Sequence, residues 1–348
     1  MADCMSALEE AYKDIALGRA LNAPRRDSFM LSSGHDAYYS FKTMEGGSER
    51  LEVMAQRINS DMLTHPVVGE ARRRVKIPAA PGNRYVGLVF LYSTRTLELL
   101  AIMNDGELQR MRVAGVTGLG VKHLSNHDAA TAAIIGTGWQ AGAAALALAE
   151  ARKLKKLRVF SPNKANREAF ASTISKRIGL DVTPAETARE AVAKSEIVAA
   201  ATNSHVPVVD GEWIEPGMHL TSIRRFEFDV GAWERADMVF FTSPTGSGGF
   251  KPNSSDTWRL RHRSDVNEEM QLEDELVGRF QGKVHFLSDL LVGKAPGRES
   301  EDQVTLFHKN WGLGIEFASV GKLVYERALK EGLGTVIPTE RFSQTSHP

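Results

Sequence analysis

The alternation of apolar and polar positions predicts a strand-rich start to this chain. Residues 4–20 carry apolar and acidic side chains in the pattern of an amphipathic helix. Strands are predicted where β-branched and aromatic residues lie between Gly, Asn or Ser, at 36–44, 53–61 and 85–94. A further strand, an Asp105-Gly106 turn and the start of a helix follow. We therefore expect the first 110 residues to form a largely antiparallel unit.

The pattern changes after residue 130, where short apolar runs alternate with helical stretches. The runs lie at 132–136, 156–161, 195–204, 217–223, 236–243 and 283–290. Such alternation is typical of βα units that build a parallel sheet. A Gly/Ser/Pro-rich stretch at 243–256 predicts a surface loop, with a lid as the alternative.

Composition narrows the possible functions. The 348 residues include 43 Lys+Arg and 43 Asp+Glu, so the formal net charge of zero predicts no nucleic-acid partner. Apolar runs fall well short of the roughly 20 residues that a membrane helix needs, so no membrane partner is predicted. The single cysteine, Cys4, excludes an internal disulfide and favours a cytoplasmic location. HExxH and CxxC motifs are absent from the sequence, and a protein-bound metal is not predicted.

A glycine turn at the end of the first apolar run points to a nucleotide cofactor. The run ends in a G-x-G-x-x-G/A motif formed by Gly136, Thr137, Gly138, Trp139, Gln140 and Ala141. The motif follows a predicted strand and opens a predicted helix, which is the context that makes it informative. The first glycine allows the tight turn, the second lets backbone approach a pyrophosphate, and Ala141 permits close helix–sheet packing. Free N–H groups and the helix dipole would then face the phosphates.

The second predicted strand indicates which dinucleotide is bound. An acidic residue near its end would hold the adenosine ribose of NAD, but this strand ends at Ser161. The following residues offer Asn163, Lys164 and Arg167. Hydroxyl and cationic groups suit a 2′-phosphate, which favours NADP(H), with NAD(H) possible. Alternatively, Lys164 and Arg167 are solvated charges at a helix start.

Three stretches resemble the ornithine cyclodeaminase/μ-crystallin family in order and spacing. They read MRVAGVTGLGVKHLSNHDAATAAIIGTGWQA, ATNSHVPVVDGEWIEPGMHLTSI and GKAPGRESEDQVTLFHKNWGLGIEFASVGKLVYERALKEGLGT. The resemblance spans about residues 5–337. It implies an α/β fold in which a Rossmann-type doubly wound parallel sheet at 119–309 joins an α/β substrate-binding and dimerisation domain. That domain would comprise 1–118 and 310–348, completed by the C-terminal helix near 312–331, and would make the protein a homodimer.

The resemblance also implies a set of site residues. Arg112 falls where the family binds the substrate carboxylate, and a guanidinium fork matches a carboxylate bidentately. A surface arginine on a helix is the alternative. Thr202, Asn203, Ser204 and Ile223 lie at the ends of the third and fourth predicted strands of the βα part, where such folds meet their cofactor. Ordinary turn chemistry is the alternative for the first three.

The chain departs from the family pattern at two positions. Arg57 stands where the family has a catalytic lysine, and an arginine is a poor acid or base. Lys76, within an insertion-like stretch at 62–80, is the alternative ammonium, unless it belongs to a solvated basic run. The family's catalytic aspartate is also missing, so Glu227 or Asp229 is expected to replace it, unless Asp229 caps the next helix.

Charged residues that are expected near the nicotinamide indicate which substrates the protein would bind. Arg224 and Arg225 would favour an acidic substrate or a second carboxylate and disfavour a cationic ornithine side chain. Lys309, Asn310 and Trp311 lie where groups facing phosphate or nicotinamide are expected.

Three functions follow from these residues and from the resemblance. The first is an NAD(P)H-dependent oxidoreductase acting on a C–N bond of a small amino, imino or keto acid, as an imine or ketimine reductase or an amino-acid dehydrogenase. The second is an ornithine cyclodeaminase that recycles NAD without net redox. The third is a non-catalytic, μ-crystallin-like binder of a small molecule that keeps the NADP site.

Overall fold

The computed structural model describes residues 1–32, 37–68, 71–72, 74–204, 206–224, 227–242, 275–276, 278–309 and 312–346. The Gly/Ser/Pro-rich stretch 243–256, and Arg225, Asn310 and Trp311, lie outside these residues. Within them, two large sheets organise the chain, one antiparallel and one parallel.

The antiparallel sheet occupies the N-terminal part, as predicted. Its strands are β1 (Ala20–Asn22), β2 (Arg26–Leu31), β3 (Tyr38–Ser48), β4 (Val53–Thr64), β7 (Val75–Ile77), β8 (Val86–Ser93) and β9 (Leu99–Asn104). The order is β1-β3-β4-β8-β9, with β2 also on β3 and β7 also on β4. Short strands β5 (Val67–Val68) and β6 (Ala71–Arg72) form a separate hairpin. The predicted insertion 62–80 therefore extends β4 and adds a strand beside it.

Helices cover one face of this sheet. They are α1 (Ala2–Ala16), α2 (Asp105–Leu124) and, at the other end of the chain, α8 (Gly314–Glu331). Alternate residues of β3, β4 and β8, such as Met44, Ala55 and Val89, join Leu8 and Phe317 in one buried cluster. The C-terminal helix thus completes the N-terminal unit. The predicted Asp105-Gly106 turn is wrong, because α2 already begins at Asp105.

The parallel sheet has the βα alternation that the sequence predicts. Its elements are β10 (Thr131–Ile135), α3 (Trp139–Ala151), β11 (Lys156–Phe160), α4 (Lys164–Ile178), β12 (Val182–Pro184), α5 (Ala188–Val192), β13 (Ile197–Ala200), β14 (His219–Ser222), α6 (Val230–Arg235), β15 (Met238–Phe241), β16 (Val284–Phe286), α7 (Leu287–Leu290) and β17 (Thr305–His308). The strand order is β12-β11-β10-β13-β14-β17-β15-β16, and all neighbours are parallel. The order reverses between β10 and β13, where such sheets bind ligands at their carboxyl edge.

Two strands of this sheet were not predicted. β12 holds three residues, and β17 enters the sheet between β14 and β15 from a distant part of the chain. Helix α2 packs against both sheets, since it contacts β8 on one side and α3 and β14 on the other. The predicted domain boundary at residue 118 falls inside this helix. Among the described helices, none is long and apolar enough to cross a membrane.

Candidate active site

A cavity of about 440 Å³ lies where the two units meet, at the carboxyl edge of the parallel sheet. Its wall combines residues of the glycine turn and the β13 and β14 ends with residues of α2, α8 and the N-terminal sheet. The lining residues are Arg25, Arg74, Lys76, Gln109, Arg112, Val113, Val116, Gln140, Thr202, Asn203, Ile223, Arg224, Thr242, Lys309, Gly312 and Glu316.

The glycine turn has the geometry that a dinucleotide requires. Gly136 has a φ of 115°, and a Cβ there would collide with the carbonyl of Ala201. A Cβ on Gly138 would meet nothing within 4 Å, so the backbone is open on that side. Gly138 is also the N-cap of α3 and provides no side-chain hydrogen bond to the first N–H groups. These open N–H groups fit the pyrophosphate of a dinucleotide.

A side chain of helix α2 contacts the residues around the glycine turn. Arg110 Nε donates to the carbonyl of Trp139 at 2.9 Å, and its guanidinium lies 5.2 Å from the centre of the indole ring. Gln140 lines the cavity, and its buried Oε1 has no hydrogen-bond partner among the described residues. An unpartnered buried amide oxygen next to the open turn is consistent with a ligand at this point.

The end of β11 differs from its sequence interpretation in one respect. Asn163 caps α4 by accepting from the Asn166 N–H at 3.0 Å, and the Ser161 carbonyl accepts from Arg167. Arg167 is buried and paired with Glu186, so it is not a solvated helix-start charge. Lys164 is 70% exposed and is the cation of this turn that faces solvent.

A buried carboxylate organises the ends of β13 and β14. Glu227 accepts the backbone N–H groups of Thr202, Ile223 and Arg224, the last two at 2.9 and 2.8 Å. Burial raises the pKa of Glu227, while these backbone hydrogen bonds oppose the shift. Glu227 does not line the cavity; it positions the two loops that do, including Thr202 and Asn203.

The remaining candidates at this edge make turn and cap contacts. Ser204 Oγ donates to the Val206 carbonyl at 2.8 Å. Asp229 caps α6 by accepting from the Ala232 N–H at 2.9 Å, and it also accepts from Gly211 at 2.8 Å. The structure therefore places Asp229 in its capping alternative, away from the cavity.

Arg112 enters the cavity from α2 within a network of buried polar groups. Its Nη1 donates to Glu316 Oε2 at 2.5 Å, and its Nε and Nη2 donate to Gln109 at 3.3 and 2.8 Å. Tyr12 donates its hydroxyl to the other Glu316 oxygen at 2.5 Å. These bonds use three of the five guanidinium N–H donors, so two remain for a ligand among the described residues. Gly312 packs against the guanidinium, where a Cβ would come within 2.8 Å of Cζ.

Arg57 lies behind this network and not in the cavity wall. Its Nε and Nη2 donate to Asp105 at 2.9 and 2.6 Å, and both residues are buried. The guanidinium groups of Arg57 and Arg112 lie 5.5 and 5.1 Å from the centre of the Phe317 ring. Arg57 therefore supports the packing around Arg112 without reaching the cavity.

Two lysines reach the cavity from opposite sides. Lys76, on β7, pairs with Asp61 at 2.8 Å. Lys309, just after β17, donates to the hydroxyl of Thr117 on α2. Desolvation lowers the pKa of Lys309 to about 7, with a smaller lowering from Arg112 and an opposing effect from Glu227. An ammonium with a pKa near neutrality in a cavity wall has the property of a general acid or base.

Sequence reasoning missed several members of the wall, and four of them carry a charged or amide side chain. Arg25, Arg74, Gln109 and Glu316 belong to segments that carry no local motif. For Glu316, the available signal in the sequence was a charged residue between two apolar residues in the stretch IEF. The described residues contain no group of His, Cys, Asp and Glu arranged to hold a metal ion.

Comparisons with known proteins agree with this geometry. The family model of the ornithine cyclodeaminase/mu-crystallin family matches residues 1–232. A Δ1-pyrroline-2-carboxylate reductase of Bacillus cereus is 28% identical over 271 residues, covering 74% of this chain and 78% of the relative.

Two solved structures share the fold over nearly the full length. The Δ1-pyrroline-2-carboxylate reductase of Thermococcus litoralis, in complex with NADH and L-proline, has a TM-score of 0.75 and 26% identity, covering 96% of this chain and 95% of its own. An archaeal alanine dehydrogenase dimer with bound NAD has a TM-score of 0.73 and 22% identity, covering 97% and 94%. These relatives are reductases and dehydrogenases, so the cyclodeaminase and binder alternatives are not favoured.

Proposed function

The chain belongs to the ornithine cyclodeaminase/mu-crystallin family, and we propose that it is an NAD(P)-dependent oxidoreductase that reduces the C=N bond of a small imino acid. The proposal rests on one observation: among the described residues, Arg112 keeps two N–H donors for a ligand in the cavity beside the open glycine turn. A carboxylate is the ligand that a guanidinium fork fits best.

The glycine turn, Arg112 and Lys309 have separate roles in the proposed reaction. The glycine turn would hold the dinucleotide, whose nicotinamide supplies a hydride when bound. Arg112 binds the substrate carboxylate and so orients the adjacent imine. Lys309 gives a proton to the imine nitrogen, which makes the carbon a better hydride acceptor, and then recovers a proton from solvent. The net change adds one hydride and one proton across C=N and yields an amino acid.

The decisive experiment follows the absorbance of reduced nicotinamide. The purified protein is mixed with NADPH or NADH and with cyclic imino acids, or with 2-oxo acids plus methylamine. We expect rapid turnover of one such class and a loss of about 10- to 100-fold in kcat/KM for Arg112→Lys, which keeps the charge but loses the fork. Absence of turnover across the panel contradicts the proposal, and ammonia release from ornithine without net redox would identify a cyclodeaminase.

We further infer a preference for NADP(H) over NAD(H). Ser161 replaces the carboxylate that would repel a 2′-phosphate, and Lys164 stands exposed beside it. We expect Lys164→Gln to raise the KM for NADPH about threefold to tenfold and to leave the KM for NADH unchanged. Lys176→Gln, at the opposite end of α4, is the matched control. Equal use of NADH by the unaltered protein contradicts the preference.

We also propose that the protein is a homodimer built on the uncovered face of the antiparallel sheet. Several outward positions on neighbouring strands are apolar, and Phe41, Val86, Tyr92 and Ile102 are all exposed. Phe41 and Val86 share Ser60 as their register partner, so these two side chains lie on the same face of the sheet. A large apolar sheet face is typically covered, and the same face of a second copy is self-complementary. Location in the cytoplasm stays a prediction.

A further inference from the structure

A second group of cations lies in the cavity wall, apart from Arg112. Arg25, Arg74 and Lys76 all come from the N-terminal sheet and its extension, whereas Arg112, Arg224 and Lys309 come from other elements. Among the described lining residues the sole carboxylate is Glu316, which is already bonded to Arg112 and Tyr12. The cavity therefore has more positive charge than one substrate carboxylate neutralises.

The carboxylates behind the second group do not balance it. Asp27 accepts from Arg25 at 2.7 Å, and Asp61 lies between Lys76 at 2.8 Å and the buried Lys42 at 3.2 Å. Arg74 makes no close ion pair with a carboxylate among the described residues, although its charge helps to lower the pKa of Asp27. Among the described residues, the four cations Arg25, Lys42, Arg74 and Lys76 thus lie near the two carboxylates Asp27 and Asp61, an excess of two positive charges (4 − 2) when all are ionised.

The pKa of the neighbouring Lys42 is lowered in this surrounding. Burial lowers the pKa of Lys42 to about 6, and the positive charges of Arg74 and Arg25 add to the lowering. Even with Lys42 neutral, three cations face two carboxylates (3 − 2 = 1). An anionic group of a ligand placed at Arg74 and Lys76 would neutralise that charge.

We propose that the substrate is an imino dicarboxylate, whose second carboxylate binds Arg74 and Lys76 while its α-carboxylate binds Arg112. This proposal rests on the proposed function and names its substrate class. A substrate with a cationic side chain would be repelled by the same wall. A neutral side chain would leave the excess charge unbalanced, so it would bind less tightly.

The test compares two imines that differ in the distal carboxylate. They are formed from methylamine with 2-oxoglutarate or with 2-oxopentanoate, which has the same number of carbons. We expect kcat/KM to be at least about tenfold higher for the dicarboxylate. Arg74→Gln and Lys76→Gln should each lower that value about tenfold, mainly through KM, with a clearly smaller loss for the monocarboxylate. Arg84→Gln, an exposed arginine outside the cavity, is the control.

Calorimetry keeps the proposal testable if no imine is reduced. N-methyl-L-glutamate and N-methyl-L-norvaline are titrated into the protein saturated with oxidised cofactor. Tighter binding of the glutamate derivative, lost in Arg74→Gln and Lys76→Gln, supports the assignment. Equal binding of both ligands, or a dicarboxylate preference that survives both substitutions, overturns it. Turnover of imines without a dicarboxylate preference overturns this inference alone, whereas no turnover at all counts against the proposed function.

Discussion

Replacing Glu316 by glutamine is predicted to destabilise the protein while it strengthens carboxylate binding. The side chains of Arg112 and Glu316 are 9% and 1% exposed, and their charged atoms lie 2.5 Å apart. Glutamine has nearly the same shape, so the substitution removes charge without opening a cavity. Breaking one partner of a buried ion pair typically costs about 3–5 kcal/mol, because the other charge stays buried without compensation.

The same substitution removes the anion that a substrate carboxylate must approach. At an effective dielectric constant of about 20, repulsion between two carboxylates bound to one guanidinium is on the order of 1–3 kcal/mol. We therefore expect Glu316→Gln, saturated with oxidised cofactor, to bind N-methyl-L-glutamate, a product of the reaction proposed above, at least about fivefold more tightly. A saturating ligand should then restore part of the lost stability, since about 100 Kd of ligand contributes about 2.7 kcal/mol.

Urea unfolding measured by tryptophan fluorescence, at one protein concentration and with or without N-methyl-L-glutamate, gives both quantities. Asp3→Asn is the matched control, because Asp3 and Arg327 form an ion pair whose side chains are 60% and 59% exposed. We expect that control to lose less than about 1 kcal/mol. The reasoning is refuted if Glu316→Gln loses no more stability than the control, or if it binds N-methyl-L-glutamate more weakly than the unaltered protein does.

Three further perturbations test Lys309, the glycine turn and the proposed dimer face. The kcat/KM for imine reduction should fall as the pH rises through about 7, because Lys309, whose pKa lies there, loses the proton that it donates. Lys309→Met should lower the rate about 10²- to 10⁴-fold and abolish this decline, and a pH profile unchanged by the substitution would contradict the acid role. Gly138→Val places methyl groups in the open space beside the turn, so nicotinamide fluorescence titration should show cofactor affinity reduced at least about tenfold at an unchanged melting temperature. Unreduced affinity would mean that the dinucleotide lies elsewhere. Ile102→Asp buries a charge in the proposed dimer face, and light scattering should change from dimer to monomer mass; a monomer before substitution would count against that interface.

The strand-rich N-terminal part and the βα alternation after residue 130 were both predictable from local sequence patterns. Alternation in 53–61 and 85–94 predicted half-buried antiparallel strands because the side-chain period of a strand is two. The runs after residue 130 predicted a parallel sheet because strands buried on both faces are continuously apolar. Strand β17 was not predictable in this way, since its four residues, TLFH, form too short a run between charged stretches.

Part of the candidate site was also predictable. The glycine turn, Thr202, Asn203 and Ile223 follow strands whose carboxyl ends meet at one edge, and the structure brings them together there. Arg112 and Lys76 both reach the cavity, whereas Arg57, Glu227 and Asp229 do not. Residue type alone could not separate these groups, because a carboxylate that caps a helix and one that faces a ligand are identical in sequence.

The class of fold and the glycine turn proposed to hold the dinucleotide were readable from the amino-acid sequence, because both follow from interactions between residues near each other in the chain. The electrostatic state of the cavity, in contrast, arises only when remote segments meet in the folded protein. Glu316 meets Arg112 across 204 positions, and Lys309 meets Thr117 across 192. The charge and pKa of a side chain depend on the desolvation and the partners that such remote segments impose, and no local pattern encodes them.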